Sequence, residues 1–172
     1  AQIRVGNQTF SKTLKIETIK PNRLKVNVDF AKDQFVVNGQ QISGQITANW
    51  LTGLSSPGLA VTGEVIAYPI APKFDELPAF VFQDGNEDFY FTPEQVIDGK
   101  LDDSGKLNFS FTPDGSLKTS GFTRLRLNTK VYEPGGGFSQ VSNTVDYIPY
   151  TSYAGVRVPE GNDYGMLSRN DK

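Results

Sequence analysis

The chain has 172 residues, a formal net charge of −2, 12% aromatic residues, and neither Cys nor His. That length carries one domain with a sound core, or one domain with parts of its neighbours. The near-neutral charge without a basic run argues against nucleic acid and anionic membrane as partners, no apolar run approaches the roughly 18 residues of a membrane helix, and the missing Cys and His exclude Ser-His-Asp and Cys-His nucleophiles, zinc or haem held by those residues, and a thioester formed within this chain.

No basic-then-apolar leader opens the sequence, as expected of a mature chain or an excised segment. Residues 1–19 are β-rich. Ile3 and Val5 precede Gly6 and Asn7, a dipeptide suited to a hairpin turn, and Phe10, Leu14 and Ile16 share one parity beyond it. Pro21 then forces an extended approach. A domain boundary is expected here, so that residues 1–20 end a preceding β-domain, 21–149 form a β-sandwich, and 150–172 begin the next domain and are partly flexible.

A strand starts at once, with Leu24, Val26, Val28 and Phe30 alternating against Arg23, Lys25, Asn27 and Asp29. Residues 32–40 read as a polar turn around Phe35, Val36 and Val37. Ile42, Ile46, Ala48 and Trp50 then share a face, with Gln41, Ser43, Gln45, Thr47 and Asn49 opposite. After a Gly-Ser-Pro-Gly turn over 52–58, Leu59, Val61, Val65 and Ala67 mark a returning strand, so 41–68 reads as a hairpin or a sheet corner.

Residues 69–93 break the pattern with four prolines and many aromatics: Phe74, Phe80, Phe82, Phe89, Tyr90 and Phe91. A structureless connection of that length is unusual inside a compact domain, so a short strand near 79–83 is expected, with the rings covering an open edge. Thr92 and Pro93 suit the cap and first position of one helical turn, but 94–97 also reads as a strand. Asp102 to Lys106 reads as a hairpin turn, followed by Leu107, Phe109 and Phe111 inward. Residues 112–115 turn again. Leu125, Leu127, Thr129 and Val131 then point inward, with Arg124, Arg126, Asn128 and Lys130 outward. Glu133 to Gly137 turns the chain into an antiparallel partner carrying Val141, Val145 and Tyr147. From Leu24 this makes about seven strands, an all-β, seven-stranded antiparallel sandwich. Its expected core is Trp50, Ile46, Val61, Val65, Leu107, Phe109, Leu125 and Leu127. With Trp50 central, Trp50→Ala should cost about 3–5 kcal/mol. Residues 153–159 look like a fresh first strand, and 160–172 are polar.

The polar and aromatic clusters give bland readings first. Asp84, Gly85, Asn86, Glu87 and Asp88 open like a calcium loop, but Phe89 and Gln95 stand where an EF-hand needs Gly and Glu, so an acidic solvent loop is preferred. Asp102 and Asp103 with Glu94 or Glu87 suggest a glycosidase pair only if a cleft separates them by roughly 5–9.5 Å, and Asp-Asp-Ser-Gly is ordinary turn chemistry. The 74–91 aromatics read as packing over the sandwich before they read as a sugar or partner platform. Arg124, Arg126 and Lys130 read as a solvated basic face. Gly135, Gly136 and Gly137 lack the strand-to-helix setting and Lys-Ser/Thr of a phosphate loop. No catalytic, cofactor or metal residue is assigned.

Three segments resemble a known family. Residues 43–61, with Trp50, Leu51, Gly53, Leu59 and Val61 in place and the proline displaced to Pro57, resemble the aromatic-Leu-x-Gly-x-Pro signature of macroglobulin domains in bacterial α2-macroglobulin-like proteins. Residues 16–24 look like that family's junction between consecutive domains, and Pro78, Phe80 and Phe82 match its Pro-x-Phe-x-Phe segment. The resemblance spans 16–111 and implies a fibronectin-III-like macroglobulin sandwich flanked by strands of its neighbours. It also implies a non-catalytic role in a large exported protease inhibitor, periplasmic or at the cell surface, whose bait and thioester regions lie elsewhere. The implied partners are neighbouring domains and, through the parent, target proteases, with no cofactor, nucleic acid or membrane insertion. A carbohydrate- or protein-binding module of a surface adhesin or glycan-utilisation protein is the alternative, and the exposure of the 74–91 rings distinguishes the two.

Overall fold

The computed structural model describes residues 2–6, 8–11, 22–36, 40–85, 88–113, 117, 119–157 and 159. β1 (Gln2–Val5) and β2 (Gln8–Ser11) form a separate antiparallel hairpin in which Val5 faces Gln8 across the two-residue turn. β3 (Leu24–Phe30), β5 (Ile42–Trp50) and β8 (Lys106–Phe111) make a three-stranded antiparallel sheet in the order β3-β5-β8. β6 (Ala60–Ile70), β7 (Glu94–Lys100), β9 (Phe122–Tyr132) and β10 (Phe138–Ile148) make the larger sheet, ordered β10-β9-β6-β7 and antiparallel throughout. The short β4 (Gln34–Val36) joins its β10 edge in parallel. The seven antiparallel strands of the two sheets are the expected sandwich.

The expected alternation survives in detail. Ile42, Ile46 and Ala48 are buried on one side of β5, and Leu125, Leu127, Thr129 and Val131 on one side of β9. Val61, Val65 and Ala67 of β6 and Val145 and Tyr147 of β10 complete the larger sheet's inner face. Pleating places alternate side chains on opposite faces, so each sheet offers one apolar face, and the two faces close on each other. Burying such aliphatic side chains contributes about 1.5–3 kcal/mol each. The β9–β10 hairpin is as expected: Glu133 N–H donates to the Gly137 carbonyl at 2.8 Å, and Tyr132 pairs with Phe138.

Several connections differ from the sequence reading. The 51–59 turn makes no hairpin, because β5 and β6 lie in different sheets; the corner reading is the correct one. Asp102 to Lys106 likewise turns tightly, but β7 pairs with β6 and β8 with β5, so it too is a crossover. The two corners are bolted together. Ala48 N–H donates to the Gly105 carbonyl at 2.9 Å, and Ser56 Oγ donates to the Ala48 carbonyl at 2.7 Å. Gly105 has φ +76°, and a Cβ there would stand 2.6 Å from the Ala48 oxygen, so glycine is the residue that fits. Residues 34–36, read as turn, are a strand because the edge of β10 opposite β9 is open over Asp146–Ile148 and they pair with it. Of the two readings for residues 92–97, the strand holds: β7 starts at Glu94. Among the described residues no strand forms at 79–83 or 153–159; instead Val81 and Val156 make one isolated bridge to each other. Residues 12–21 and 160–172, including the expected junction and polar tail, fall outside the described residues.

Trp50 is the main correction to the core. It is half-buried at the end of β5, beneath the Arg23 guanidinium, whose Cζ stands 5.5 Å from the ring centroid. Leu107 is also only partly buried, whereas Ile46, Val61, Val65, Phe109, Leu125 and Leu127 are core residues. The apolar parity of β5 was right, but its last position lies at the rim. Ile46→Ala is therefore expected to cost about 2–5 kcal/mol in urea unfolding, and Trp50→Ala less than Ile46→Ala. A larger loss for Trp50→Ala would place the centre of the core at the wrong end of β5.

Candidate functional site

Among the described residues, Glu94 and Asp102 are too far apart to act as a catalytic pair. Glu94 opens β7 and Asp102 lies beyond its last residue, Lys100, so the length of that strand, about 20 Å, separates them, far beyond glycosidase spacing. Asp102 is committed to its turn. Its Oδ1 accepts hydrogen bonds from Ser104 N–H at 2.8 Å, Ser104 Oγ at 2.7 Å and Lys106 N–H at 2.9 Å. The Ser104 hydroxyl, followed by the Lys106 amide, holds the Asp102 carboxyl below its ordinary range. Glu87 and Asn86 lie outside the described residues. Asp84 and Asp88 are exposed, and Asp84 N–H donates to Ser120 Oγ at 2.9 Å. Among the described residues no three carboxylates gather closely enough to hold a metal ion.

The basic stripe on β9 is not a free cationic face. Arg124 lies directly opposite Asp146 on β10 and grips it with two hydrogen bonds, Nε to Oδ1 at 2.6 Å and Nη2 to Oδ2 at 3.0 Å. Hydrogen bonding to Asp146 raises the already high guanidinium pKa. Arg126 lies 5.3 Å over the Tyr68 ring and Lys130 5.2 Å over Phe138. Cross-strand pairing thus engages each cation, and the stripe offers little to an anionic partner. The run Gly135, Gly136 and Gly137 forms the β9–β10 turn, with Gly136 N–H donating to the Glu133 carbonyl at 3.2 Å.

Most of the exposed large hydrophobic side chains among the described residues line depressions at the two ends of the sandwich. At the leading end, where β3 starts, Leu51 and Leu54 are 68% and 69% exposed. They line a depression of about 420 Å³ with Arg23, Trp50 and Thr52. Arg23 also reaches Glu133 at 3.5 Å, tying this end of β3 to the β9–β10 turn. Phe138 is exposed beside that turn.

The trailing end carries the aromatic segment and is the strongest candidate for a binding site. Phe82 is buried there, and Phe74 meets it edge to face with ring centroids 4.6 Å apart. Phe74 also meets Phe122 of β9 at 6.0 Å, and Phe122 meets Tyr153 edge to face at 5.1 Å. Burial raises the Tyr153 phenol's pKa, and its oxygen accepts the Tyr150 N–H at 3.1 Å. The chain after β10 returns across this cluster. Val81 and Val156 exchange two backbone hydrogen bonds, each of 2.8 Å. Beside them a Cβ on Gly155 would lie 2.4 Å from the Phe82 ring, so the close approach requires glycine. Arg157 then stacks 5.8 Å from the Phe80 ring centroid.

Two depressions flank Tyr153. One, about 410 Å³, is lined by Phe74, Leu77, Phe122, Ile148 and Tyr150 among others; the other, about 430 Å³, by Val81, Gln83, Asp84, Ala154 and Val156 among others. Phe89 and Phe91 pack against the core of the sandwich, whereas Phe74, Phe80 and Phe82 cover an end of it. They pack edge to face on one another and present a groove, not the flat, open ring faces on which a sugar stacks. Tyr90, 83% exposed, makes no described ring pair. The sequence drew attention to 74–91 by composition; it gave no sign that Phe122, Tyr150 and Tyr153, 30 to 80 residues later, would complete the same cluster.

Comparison with known proteins assigns this architecture. Residues 22–148 match the family described as the Bacterial Alpha-2-macroglobulin MG5 domain. The chain is 27% identical over 165 residues to an alpha-2-macroglobulin homolog of Yersinia pestis, covering 92% of this chain and 8% of that protein. Its fold matches the native conformation of E. coli alpha-2-macroglobulin with a TM-score of 0.66 at 19% identity, over 88% of this chain and 9% of that one. It matches Salmonella alpha-2-macroglobulin reacted with methylamine with a TM-score of 0.63 at 18% identity, over 91% and 10%. The chain spans about a tenth of the length of these relatives.

Asp102 makes the crossover turn sensitive to acid. Its folded pKa lies below the ordinary 3.8, so its contribution to stability is complete above about pH 3.8 and is lost as pH falls through the lower folded value. Asp102→Ala should accordingly be less stable than the parent sequence at pH 7. The gap should narrow as denaturation is repeated below pH 3.8. A gap that does not change with pH would show that the carboxylate charge plays no part in the turn.

Proposed function

The chain belongs to the family of bacterial alpha-2-macroglobulin MG5 domains, and from that membership we propose that it is a non-catalytic structural module of a large exported protease trap. The observation that carries this reading is the match of the whole sandwich, 22–148, to one domain of relatives about ten times longer than the chain. Residues 21–149 are the module in this reading; residues 1–20 end the preceding β-domain, and 150–172 begin the following one. The β1–β2 hairpin supports that division. A lone two-stranded hairpin is marginal in water, and the described strands provide no third partner for it.

The module's role is to hold its neighbours at a fixed distance and orientation. Its own surface fits that role. The Asp102 turn, the Arg124–Asp146 pair and the covered cations spend the polar groups on structure, and no described cluster combines a nucleophile with a base. The reactive thioester and the bait region belong to other parts of the parent, since a thioester needs a Cys and the chain has none. The partners are the adjoining domains and, through the parent, the captured protease; the location is the periplasm or cell surface. The relatives support a trap: the E. coli protein is known in a trypsin-activated form and the Salmonella protein in a methylamine-reacted form.

The test is made on the full-length parent, by intact mass with and without methylamine alongside a protease challenge. A methylamine adduct together with retained protease is the expected result. Compaction on proteolysis without an adduct would keep the trap and remove the thioester. A parent that shows no adduct, retention or compaction is not a protease trap.

A further inference from the structure

We propose that the aromatic groove at the trailing end is the seat of the domain that follows this one in the parent chain. This rests on the multidomain reading above and identifies the surface through which the module holds its successor. Of the nine large hydrophobic side chains exposed among the described residues, five, Phe74, Leu77, Val81, Tyr150 and Val156, line the two depressions at this end. Apolar surface gathered in this way marks a contact that excludes water.

The occupant follows from how the chain leaves. After β10 the backbone does not run straight out. Tyr153 is seated against Phe122, Gly155 against Phe82, and Val156 is hydrogen-bonded to Val81 in both directions. The segment that leads out of the module is thus one wall of the groove, and Arg157 is fixed over Phe80 at its rim. Whatever is attached beyond residue 159 is tethered within a few residues of the depression. Short tethers give effective concentrations in the millimolar range, which lets a small contact stay closed. Interdomain contacts within one chain are of that kind, about 600–1,500 Å² and moderately polar. The groove's walls carry Leu, Ile and aromatic side chains with the Tyr150 and Tyr153 hydroxyls among them, so the surface it receives is apolar with scattered hydrogen-bonding groups. The two-bond bridge also fixes the direction of departure, so that seating and direction together set the angle between the two domains.

Photo-crosslinking in the full-length parent reads the occupant directly. Leu77, 43% exposed in the groove, is replaced by p-benzoylphenylalanine, and Thr144, on the exposed face of β10, is replaced in a control. After irradiation and digestion, the Leu77 probe should join peptides C-terminal to Pro159 of the same molecule, at least tenfold more than the Thr144 probe does. Crosslinks to a second molecule, to a domain preceding this one, or no crosslinks above the control would overturn the proposal. A second variant, Leu77→Ser with Tyr150→Ser, should speed protease cleavage after Pro159 in the parent severalfold while leaving thermal unfolding of the 172-residue chain within a few degrees of the unsubstituted chain. Unchanged cleavage would also overturn it. The outcomes are separable from the trap reading: a parent that retains no protease but yields the crosslink loses the trap and keeps the groove.

Discussion

The structure depends on one apolar layer between two unequal sheets. Ile42, Ile46 and Ala48 from the smaller sheet face Val61, Val65, Leu125, Leu127 and Val131 from the larger, all at 3% exposure or less. Neither sheet is stable alone, since each would leave one face of aliphatic side chains in water. The chain must therefore keep crossing from sheet to sheet, into and out of β4 and again at 51–59, 101–105 and 112–121, to supply both faces from one sequence. The corners where it crosses are the places with special chemistry: the Asp102 carboxylate that collects three donors, Gly105 at positive φ, and Ser56 capping the Ala48 carbonyl. They hold the two sheets in register at one end. Asn143 of β10, whose Nδ2 donates to the Val28 carbonyl of β3 at 3.4 Å, adds a stitch along one side.

Once that layer is closed, the remaining surface has a simple polarity. The outer faces of the strands carry polar and charged side chains that pair across the sheet, such as Arg124 with Asp146 and Ser142 with Asn128. The apolar residues that the core cannot take are left at the ends, where the chain comes in and goes out. A sandwich with polar sides and apolar ends suits a position in a row of domains. Sequence membership in the macroglobulin family and this distribution of surface agree, although they are independent observations.

Much of the sandwich was legible in the sequence because period-two alternation is a local property. In β3, β5, β8 and β9 the apolar parity named the buried or half-buried face correctly, including Thr129, a polar residue placed inward by its neighbours. What was not legible depends on non-local pairing. Tight turns close a hairpin at 133–137 and cross between sheets at 101–105, and only the partner strands decide which. β4 is a strand because β10 offers it an edge 110 residues away. Trp50 was overvalued because alternation gives the face but not the distance from the rim. The candidate site was half legible: composition singled out 74–91, but the cluster is completed by Phe122, Tyr150 and Tyr153, whose spacing carries no signal.

The crossovers and the core lock the two sheets together, so the proposed module moves as one body without deforming. Hydrogen exchange of the full-length parent, before and after proteolytic activation, tests that most directly. The account predicts that amides in β5, β6 and β9 keep their protection through activation, with changes confined to segments 51–54, 74–85 and 149–157 at the two ends. Loss of protection in those three central strands would show that the module opens on activation, and would contradict the proposed role as a rigid spacer.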